Sequence, residues 1–237
     1  KILFWYDNNK RILPWRKNNS KEQKLYFTLV SEFMLQQTQV STVIPYFKRF
    51  VQKIPNFKKL SKANDQTLMK LWEGLGYYSR ARNLKKSAIM INGKFGGILP
   101  SNFEDLKSLP GVGDYTSTAI MAIAFNQKFI PLDGNVERIL KRVLYLRSDK
   151  DISKENMQIS KNFFGLSERA SDYAQAIMEL GALVCRPSSP LCEKCPISIN
   201  CISYKRKDFS LIKKIKRNKT KYFEAVSYTH LTLPTNK

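Results

Sequence analysis

The sequence has almost no histidine. Its single histidine, His230, lies among the last eight residues of the chain. Serine and cysteine nucleophiles are commonly activated by a neighbouring histidine, and histidine is also a frequent ligand of zinc. The body of the chain therefore cannot carry Ser–His or Cys–His catalysis or a histidine metal site. Any general acid or base must be a carboxylate, a lysine, a tyrosine or a cysteine.

Long apolar runs are also missing. The chain of 237 residues contains no apolar stretch near the roughly 20 residues that a membrane-spanning helix needs. Residues 1–7 lack the apolar core and the small-residue cleavage site of a signal peptide. We therefore expect no membrane partner and an intracellular location. Because the chain does not begin with Met, we also expect a few residues before Lys1.

Acidic residues are few. The sequence has 19 Asp and Glu against 41 Lys and Arg, which leaves a net charge of +22. This excess suits a polyanionic partner, most simply a nucleic acid. The abundant Lys, Asn and Ile can also reflect biased codon usage. Charge therefore favours nucleic acid over a merely basic surface without deciding between them.

Most of the chain has apolar residues three and four apart, which predicts an all-α fold. The alternation of apolar and polar residues that predicts a β-strand occurs only at 222–226. The basic stretch 205–221 is interpreted as a solvated linker. The predicted helices are 22–40, 64–73, 79–92, 114–125, 134–146, 153–164 and 168–184.

All four cysteines fall within seventeen residues, with gaps of six, two and five residues between them. They are Cys185, Cys192, Cys195 and Cys201. Such clustering favours metal thiolates over two disulfides, because a signal peptide is missing. Zinc usually takes two Cys-x-x-Cys hooks, and here only one is present. A compact four-thiolate loop can instead hold an iron–sulfur cluster, and the spacing leans modestly that way.

A glycine-rich turn, Leu-Pro-Gly-Val-Gly at 109–113, lies between two predicted helices. Two glycines let the backbone turn sharply and bring its N–H groups close to an anion such as a DNA phosphate. Most Gly-x-Gly sequences are plain turns, so this pattern is weak alone. The residues expected to hold phosphate are Leu109, Gly111, Val112 and Gly113.

Two carboxylates stand in contrasting surroundings. Glu32 shares a helix face with Leu25, Leu29 and Leu35, so its carboxyl should hold its proton longer, as a general acid must. Asp133 precedes a helix, where N–H groups favour a negative charge. The plainer interpretation of Glu32 is a residue at the edge of a solvated helix face. The plainer interpretation of Asp133 is a simple helix N-cap.

Several segments together resemble one family. The cysteine loop and the 109–113 turn resemble the iron–sulfur loop and the helix–hairpin–helix motif of the endonuclease-three superfamily of DNA glycosylases. Over roughly residues 4–204, the chain resembles adenine DNA glycosylases in particular. Signature segments of that family are similar to residues 13–16, 31–38, 43–47, 74–83 and 132–136.

The resemblance implies two all-helical lobes with the active site in the cleft between them. Residues 17–127 would form a six-helix barrel with the helix–hairpin–helix motif. Residues 1–16 and 128–213 would form the lobe that holds a 4Fe–4S cluster on the four cysteines. Residues 214–226 would be a linker and the start of a C-terminal domain for 8-oxoguanine recognition. Residues 227–237 match nothing before them and are interpreted as a foreign scar.

The same resemblance implies an activity. The enzyme would flip adenine out of double-stranded DNA, from a mispair with 8-oxoguanine or guanine, and act as a monomer. Glu32 would protonate N7 of adenine and assist the water. Asp133 would stabilise the sugar cation, with Tyr115 and Asn135 supporting it. In a bacterium, this function would place the protein in the cytoplasm with the nucleoid.

Other roles follow from matching positions. Arg11 and Glu179 would line the adenine pocket, and Gln37 and Tyr77 would wedge into the duplex. The full set of expected substrate-binding residues is Arg11, Leu13, Trp15, Arg16, Gln37, Tyr77 and Glu179.

Tyr115 stands where related glycosylase/lyases of the superfamily carry a Schiff-base lysine, so we expect little or no strand cleavage. The alternatives are a glycosylase of the same fold for another base, a non-catalytic iron–sulfur DNA-binding module, and a zinc-binding module.

Overall fold

The computed structural model describes residues 1–17, 20–146 and 168–210. In these ranges the chain is helical and has no strand, which confirms the all-α prediction. The predicted helix 153–164, the strand 222–226, the scar 227–237 and most of the basic stretch lie outside the described residues. The helices are α1 Ile2–Asn9, α2 Lys21–Leu35, α3 Val40–Lys53, α4 Phe57–Ser61, α5 Asp65–Trp72, α6 Ser79–Lys94, α7 Phe103–Lys107, α8 Asp114–Ile123, α9 Gly134–Leu144, α10 Ala170–Leu183 and α11 Ile202–Arg206; Pro14–Arg16, Cys192–Lys194 and Ser198–Asn200 form single 3₁₀ turns.

Short polar side chains begin many of these helices. Ser20, Asn56, Asn64 and Asn102 each accept a hydrogen bond from a backbone N–H in the first turn of the helix that follows. This is the usual way to satisfy the unpaired N–H groups at a helix start.

One predicted helix is wrong at its end. The segment 22–40 was expected to be continuous, but α2 stops at Leu35 and α3 begins at Val40. Between them the backbone turns, with Gln37 at a φ of 56°. Residues 36–39 are all polar and include no Gly or Pro, so the sequence carries no helix breaker at this turn.

The buried hydrophobic side chains form two clusters. The first lies between Leu25 and Ala124 and is built by α2 to α8, of which α4 and α7 have only five residues each. The second joins α1, α9 and α10 around residues such as Tyr6, Val136 and Leu180, and it includes Cys201. Two cores support the predicted two-lobe division, whose boundaries remain a prediction.

The two cores meet along α2 and α8. Helix α10 packs against α8, and the turn Pro14–Arg16 packs against α2 and α3. A cleft remains between the lobes beside α2.

Among the described residues, no helix is both long enough and apolar enough to cross a bilayer.

Candidate active site

The cleft has a volume of about 1470 Å³. This exceeds the roughly 300–1,000 Å³ of most small-molecule sites and suits part of a macromolecule. All the residues expected to be catalytic or substrate-binding line it, from both lobes. They are Arg11, Leu13, Trp15, Arg16, Glu32, Gln37, Tyr77, Tyr115, Asp133, Asn135 and Glu179.

Glu32 is the buried carboxyl of the cleft. It lies in the last turn of α2 and is only 6% exposed. Burial, and secondarily the charge of Asp133, raises the pKa of Glu32 from 4.5 to about 7. Both causes disfavour the ionised form. Glu32 therefore keeps its proton near neutral pH, as expected from its apolar neighbours.

Asp133 is the N-cap of α9. Its Oδ1 accepts hydrogen bonds from the backbone N–H of Asn135 (2.9 Å) and of Val136 (2.8 Å), and its Oδ2 accepts one from Asn135 Nδ2 (2.8 Å). A helix N-terminus stabilises a negative charge. Asp133 is thus both an N-cap and a carboxylate facing the cleft, so the plainer interpretation and the functional one are compatible.

A residue that sequence reasoning missed supports this arrangement. Arg138, one turn further along α9, donates from Nη2 to Asn135 Oδ1 (2.8 Å) and from Nε to the carbonyl oxygen of Cys185 (2.7 Å). It also donates to the carbonyl oxygen of Gly181 (2.7 Å). Arg138 thereby ties the asparagine beside Asp133 to the end of α10 and the first cysteine. The sequence feature that could have pointed to Arg138 is its position three residues after Asn135, because residues three apart on a helix are neighbours on its surface.

Gly181 leaves room for that asparagine. A Cβ atom at this position would lie 2.5 Å from Asn135 Cβ and 3.1 Å from its backbone oxygen. Real Cβ contacts are much longer, so any side chain at Gly181 would displace Asn135. The close approach of α10 and α9 therefore depends on a glycine here.

Tyr115 stands near both carboxyl groups. Burial, followed by the charges of Glu32 and Asp133, raises the pKa of Tyr115 well above 10. The phenol therefore stays neutral and can donate a hydrogen bond. A phenol cannot form the Schiff base on which lyase activity depends.

Glu179 forms a buried ionic wall of the cleft. It is 1% exposed, and its two oxygens pair with Arg11 Nε (2.7 Å) and Arg16 Nη1 (2.9 Å). Arg16 Nε also donates to Oε1 of Gln175 (2.7 Å), a second residue that sequence reasoning missed. The two arginines compensate the charge of the buried carboxylate, and the partly exposed Arg11 presents polar atoms to the cleft.

Gln37 and Tyr77 lie at the rim of the cleft. Both have a left-handed backbone, with φ of 56° and 50°. Tyr77 exposes 61% of its surface, although it is a large aromatic residue. Tyr77 is therefore not a core residue.

The glycine-rich turn lies between α7 and α8, outside the lining of the cleft. Leu109 and Val112 are buried, whereas Gly111 and Gly113 are exposed and Gly113 is the residue before α8. Gly111 has a φ of 81°, and a Cβ there would come within 2.9 Å of Asn83 and Phe33 side-chain atoms. The turn thus needs glycine and presents the start of α8 to solvent.

The four cysteines are free thiols and line one small pocket in the second core. The disulfide alternative is therefore not realised. Within the described ranges, no group of three or more His, Cys, Asp or Glu is arranged to hold a metal ion. Arg142, only 2% exposed, donates to Cys185 Sγ (3.3 Å) beside the pocket. Four sulfur donors with one cation beside them suit an anionic metal–thiolate centre, which can be either a zinc ion or an iron–sulfur cluster.

Comparison with known proteins gives the family. Residues 30–163 match the model of the HhH-GPD superfamily of base excision DNA repair proteins. The chain is similar to the adenine DNA glycosylase of Buchnera aphidicola subsp. Schizaphis graminum, with 37% identity over 96% of this chain and 67% of that relative. The chain belongs to the adenine DNA glycosylase family. A second family member, from Rattus norvegicus, is 44% identical over 86% of this chain and 41% of its own length.

Among solved structures, a thermostable thymine-DNA glycosylase matches with a TM-score of 0.76 and 27% identity, over 86% of this chain and 94% of that one. The adenine DNA glycosylase family therefore shares its fold with an enzyme named for another base. The chain spans about two fifths of the rat family member, so the comparison covers only part of that protein.

Proposed function

We propose that this chain is a DNA glycosylase that removes adenine from mispairs with 8-oxoguanine or guanine. One observation carries the proposal. A carboxyl that holds its proton to about pH 7, Glu32, shares a cleft with a helix-capping carboxylate, Asp133, from the other side of the fold. An acid and an anion set apart by their surroundings are what glycosidic bond cleavage requires.

The proposed reaction uses both carboxyl groups on an adenine that has been flipped out of the duplex. Glu32 gives its proton to N7, and the C1′–N9 bond breaks with its electrons moving to the base. Asp133 stabilises the positive charge left on the sugar. Water then adds to C1′, and its proton returns to Glu32. Asn135 and the neutral Tyr115 hold the two acids in place.

The remaining residues are assigned to binding. The ion-paired wall of Arg11 and Glu179 would contact the edge of the flipped base. Gln37 and Tyr77 would fill the gap in the duplex, and the turn at 109–113 would hold a phosphate without reading sequence. The net charge of +22 favours approach to DNA as a whole.

The rival is a glycosylase for another base on the same fold. Adenine is favoured by the family membership and by the acid, because a purine offers N7 as a proton acceptor and a pyrimidine has no such atom. Tyr115 in place of a lysine favours a glycosylase without lyase activity.

The deciding experiment measures base release. Duplexes carrying adenine opposite 8-oxoguanine, adenine opposite guanine, thymine opposite guanine, and adenine opposite thymine are incubated with the protein and then treated with alkali. We expect breaks at adenine in the first two duplexes only, and no breaks before alkali. Release of thymine, or intact adenine in both mispairs, would overturn the proposal.

The pH dependence of the reaction follows from Glu32. An acid with a pKa of about 7 is protonated below that value, so the single-turnover rate should be level from pH 5.5 to about 7. Above it the rate should fall about tenfold per pH unit, because only the protonated fraction reacts. Glu22→Gln, an exposed glutamate on the same helix, is the control and should keep this profile. A wild-type rate that stays level to pH 9 would exclude Glu32 as the acid.

We further propose that Cys185, Cys192, Cys195 and Cys201 hold a 4Fe–4S cluster. The group would link the loop after α10 to α9 and to α11, so its contribution here is to hold the second lobe together. None of the steps above passes through it.

The cluster assignment predicts the effect of Cys192→Ser. The purified variant should lose most of its iron and its brown visible absorbance and should melt at a lower temperature than wild type, because three ligands hold the cluster weakly. Ser188→Ala, an exposed residue of the same loop, should leave iron content and melting unchanged. One zinc per chain in colourless wild-type protein would overturn the iron–sulfur assignment.

A further inference from the structure

Arg80, near the start of α6, is buried and donates to five backbone carbonyl groups. It is 7% exposed, although arginine is rarely buried without partners. Three of the carbonyls end α2, and two lie in the loop between α5 and α6. The acceptors are the oxygens of Phe33 (3.1 Å), Met34 (2.8 Å) and Gln36, and those of Leu75 (3.3 Å) and Gly76 (3.0 Å).

Two of these five carbonyl groups belong to residues that adjoin the rim residues. Gln36 immediately precedes Gln37, and Gly76 immediately precedes Tyr77. The Arg80 guanidinium also lies 5.3 Å from the centre of the Tyr77 ring. One side chain therefore bonds to the backbone beside both rim residues and contacts one of their rings.

Both rim residues have an unusual backbone. Left-handed φ values are uncommon for residues other than glycine, and they persist only where the surroundings determine them. A cation is well suited to do so at the end of α2, where the last carbonyls of a helix lack partners within it. Lysine could not replace Arg80, because the five bonds come from two guanidinium nitrogens, Nη1 and Nη2, in a planar fork, and an ammonium has only one nitrogen.

We propose that Arg80 is a positioning residue that holds Gln37 and Tyr77 together as one preorganised wedge for base extrusion. This inference rests on the proposed glycosylase function. It adds that Arg80 fixes the positions of the two residues that would enter the duplex when the base is flipped out. Gln36 extends the same unit, because its Nε2 donates to the carbonyl oxygen of Gly111 (3.2 Å) in the glycine-rich turn.

The test compares two substrates that differ in the free energy needed to flip the adenine out of the duplex. Single-turnover rates are measured for Arg80→Gln on a duplex with adenine opposite guanine, and on one with adenine opposite an abasic-site analogue, where no partner base holds the adenine. We expect a loss of about 10- to 100-fold on the mispair, as for other misplaced groups, and a much smaller loss on the unpaired adenine. Leu68→Ala, a core substitution in α5 of the same lobe, is the control for lost stability and should change both rates alike.

A double-mutant cycle then asks whether Arg80 acts through the wedge. If it does, Arg80→Gln should cost less than about threefold in a Tyr77→Ala background, because coupled residues are not additive. Equal losses on both duplexes, or additive losses in the cycle, would overturn the inference while leaving the proposed function intact. A wild-type chain that releases adenine from neither duplex would overturn both.

Discussion

Glu32→Gln is expected to lower the rate of adenine release by about 10²- to 10⁴-fold, the usual contribution of a general acid. The amide has nearly the same shape as the protonated carboxyl, so the cleft keeps its form and mispaired DNA should still bind. What is lost is a proton that can be transferred. Single-turnover cleavage and a binding titration on the same duplex measure the two effects. A rate within about threefold of wild type would remove Glu32 from the mechanism.

The same substitution should stabilise the protein at alkaline pH. The pKa of Glu32 is raised from 4.5 to about 7 in the folded state, so the folded protein binds this proton more tightly than the unfolded chain does. Stability from this group is fully present below pH 4.5 and is lost as the pH rises through about 7. The loss is about 3 kcal/mol.

A glutamine side chain has no such titration, so the Glu32→Gln variant should melt at a higher temperature than wild type at pH 8 and at a similar one near pH 4.5. Thermal unfolding at the two pH values tests this. A lower melting temperature for the variant at pH 8 would contradict the burial of an ionised carboxyl. A Glu32→Gln variant that loses activity but gains stability at pH 8 would show that Glu32 serves catalysis and not the stability of the fold.

Asp133→Asn is expected to lower the rate by about 10²- to 10³-fold, the cost of removing one electrostatic stabiliser of a transition state. The folded structure should survive, because asparagine caps helices about as well as aspartate and can still accept from the N–H groups of Asn135 and Val136. The negative charge that faces the sugar cation is removed, and Asn135 Nδ2 loses its acceptor, because the new amide nitrogen takes the place of Oδ2. Single-turnover cleavage and the melting temperature are the measurements.

A matched control separates capping from catalysis. Asn64 caps α5 by accepting from the N–H of Gln66 (2.7 Å), in an exposed position away from the cleft. Asn64→Ala should cost about 1 kcal/mol of stability and leave the rate unchanged. If Asp133→Asn kept wild-type activity, its role would be that of a cap.

Local patterns predicted much of the site. Glu32 among leucines predicted a protonated carboxyl, and burial raises its pKa as expected. Asp133 before a helix predicted an N-cap, and it accepts the N–H groups of that helix. Both follow from neighbours within a few residues along the chain, and such relations can be read from a sequence. The pairing of the two across the cleft came from the family resemblance, because no local pattern links residues so far apart along the chain.

The long-range contacts could not be read in this way. Arg80 lies among lysines and arginines on a basic helix and has no local sign of burial, yet it meets carbonyls more than forty residues away. The break after Leu35 falls in the polar segment 36–39, which contains no Gly or Pro to mark a turn. Only the spacing of Arg138 from Asn135 can be read from the sequence, and its bond to the carbonyl oxygen of Cys185 depends on the tertiary structure.

The sequence by itself determined the helical class, the shortage of histidine that leaves carboxylates to do the chemistry, the cysteine spacing and the family. These depend on residue type and on spacing along the chain. The tertiary structure decided which charges are buried and which residues share a cleft. Burial and pairing depend on how the two cores approach each other, and the free energy of a charged group depends on the atoms around it rather than on its neighbours in sequence.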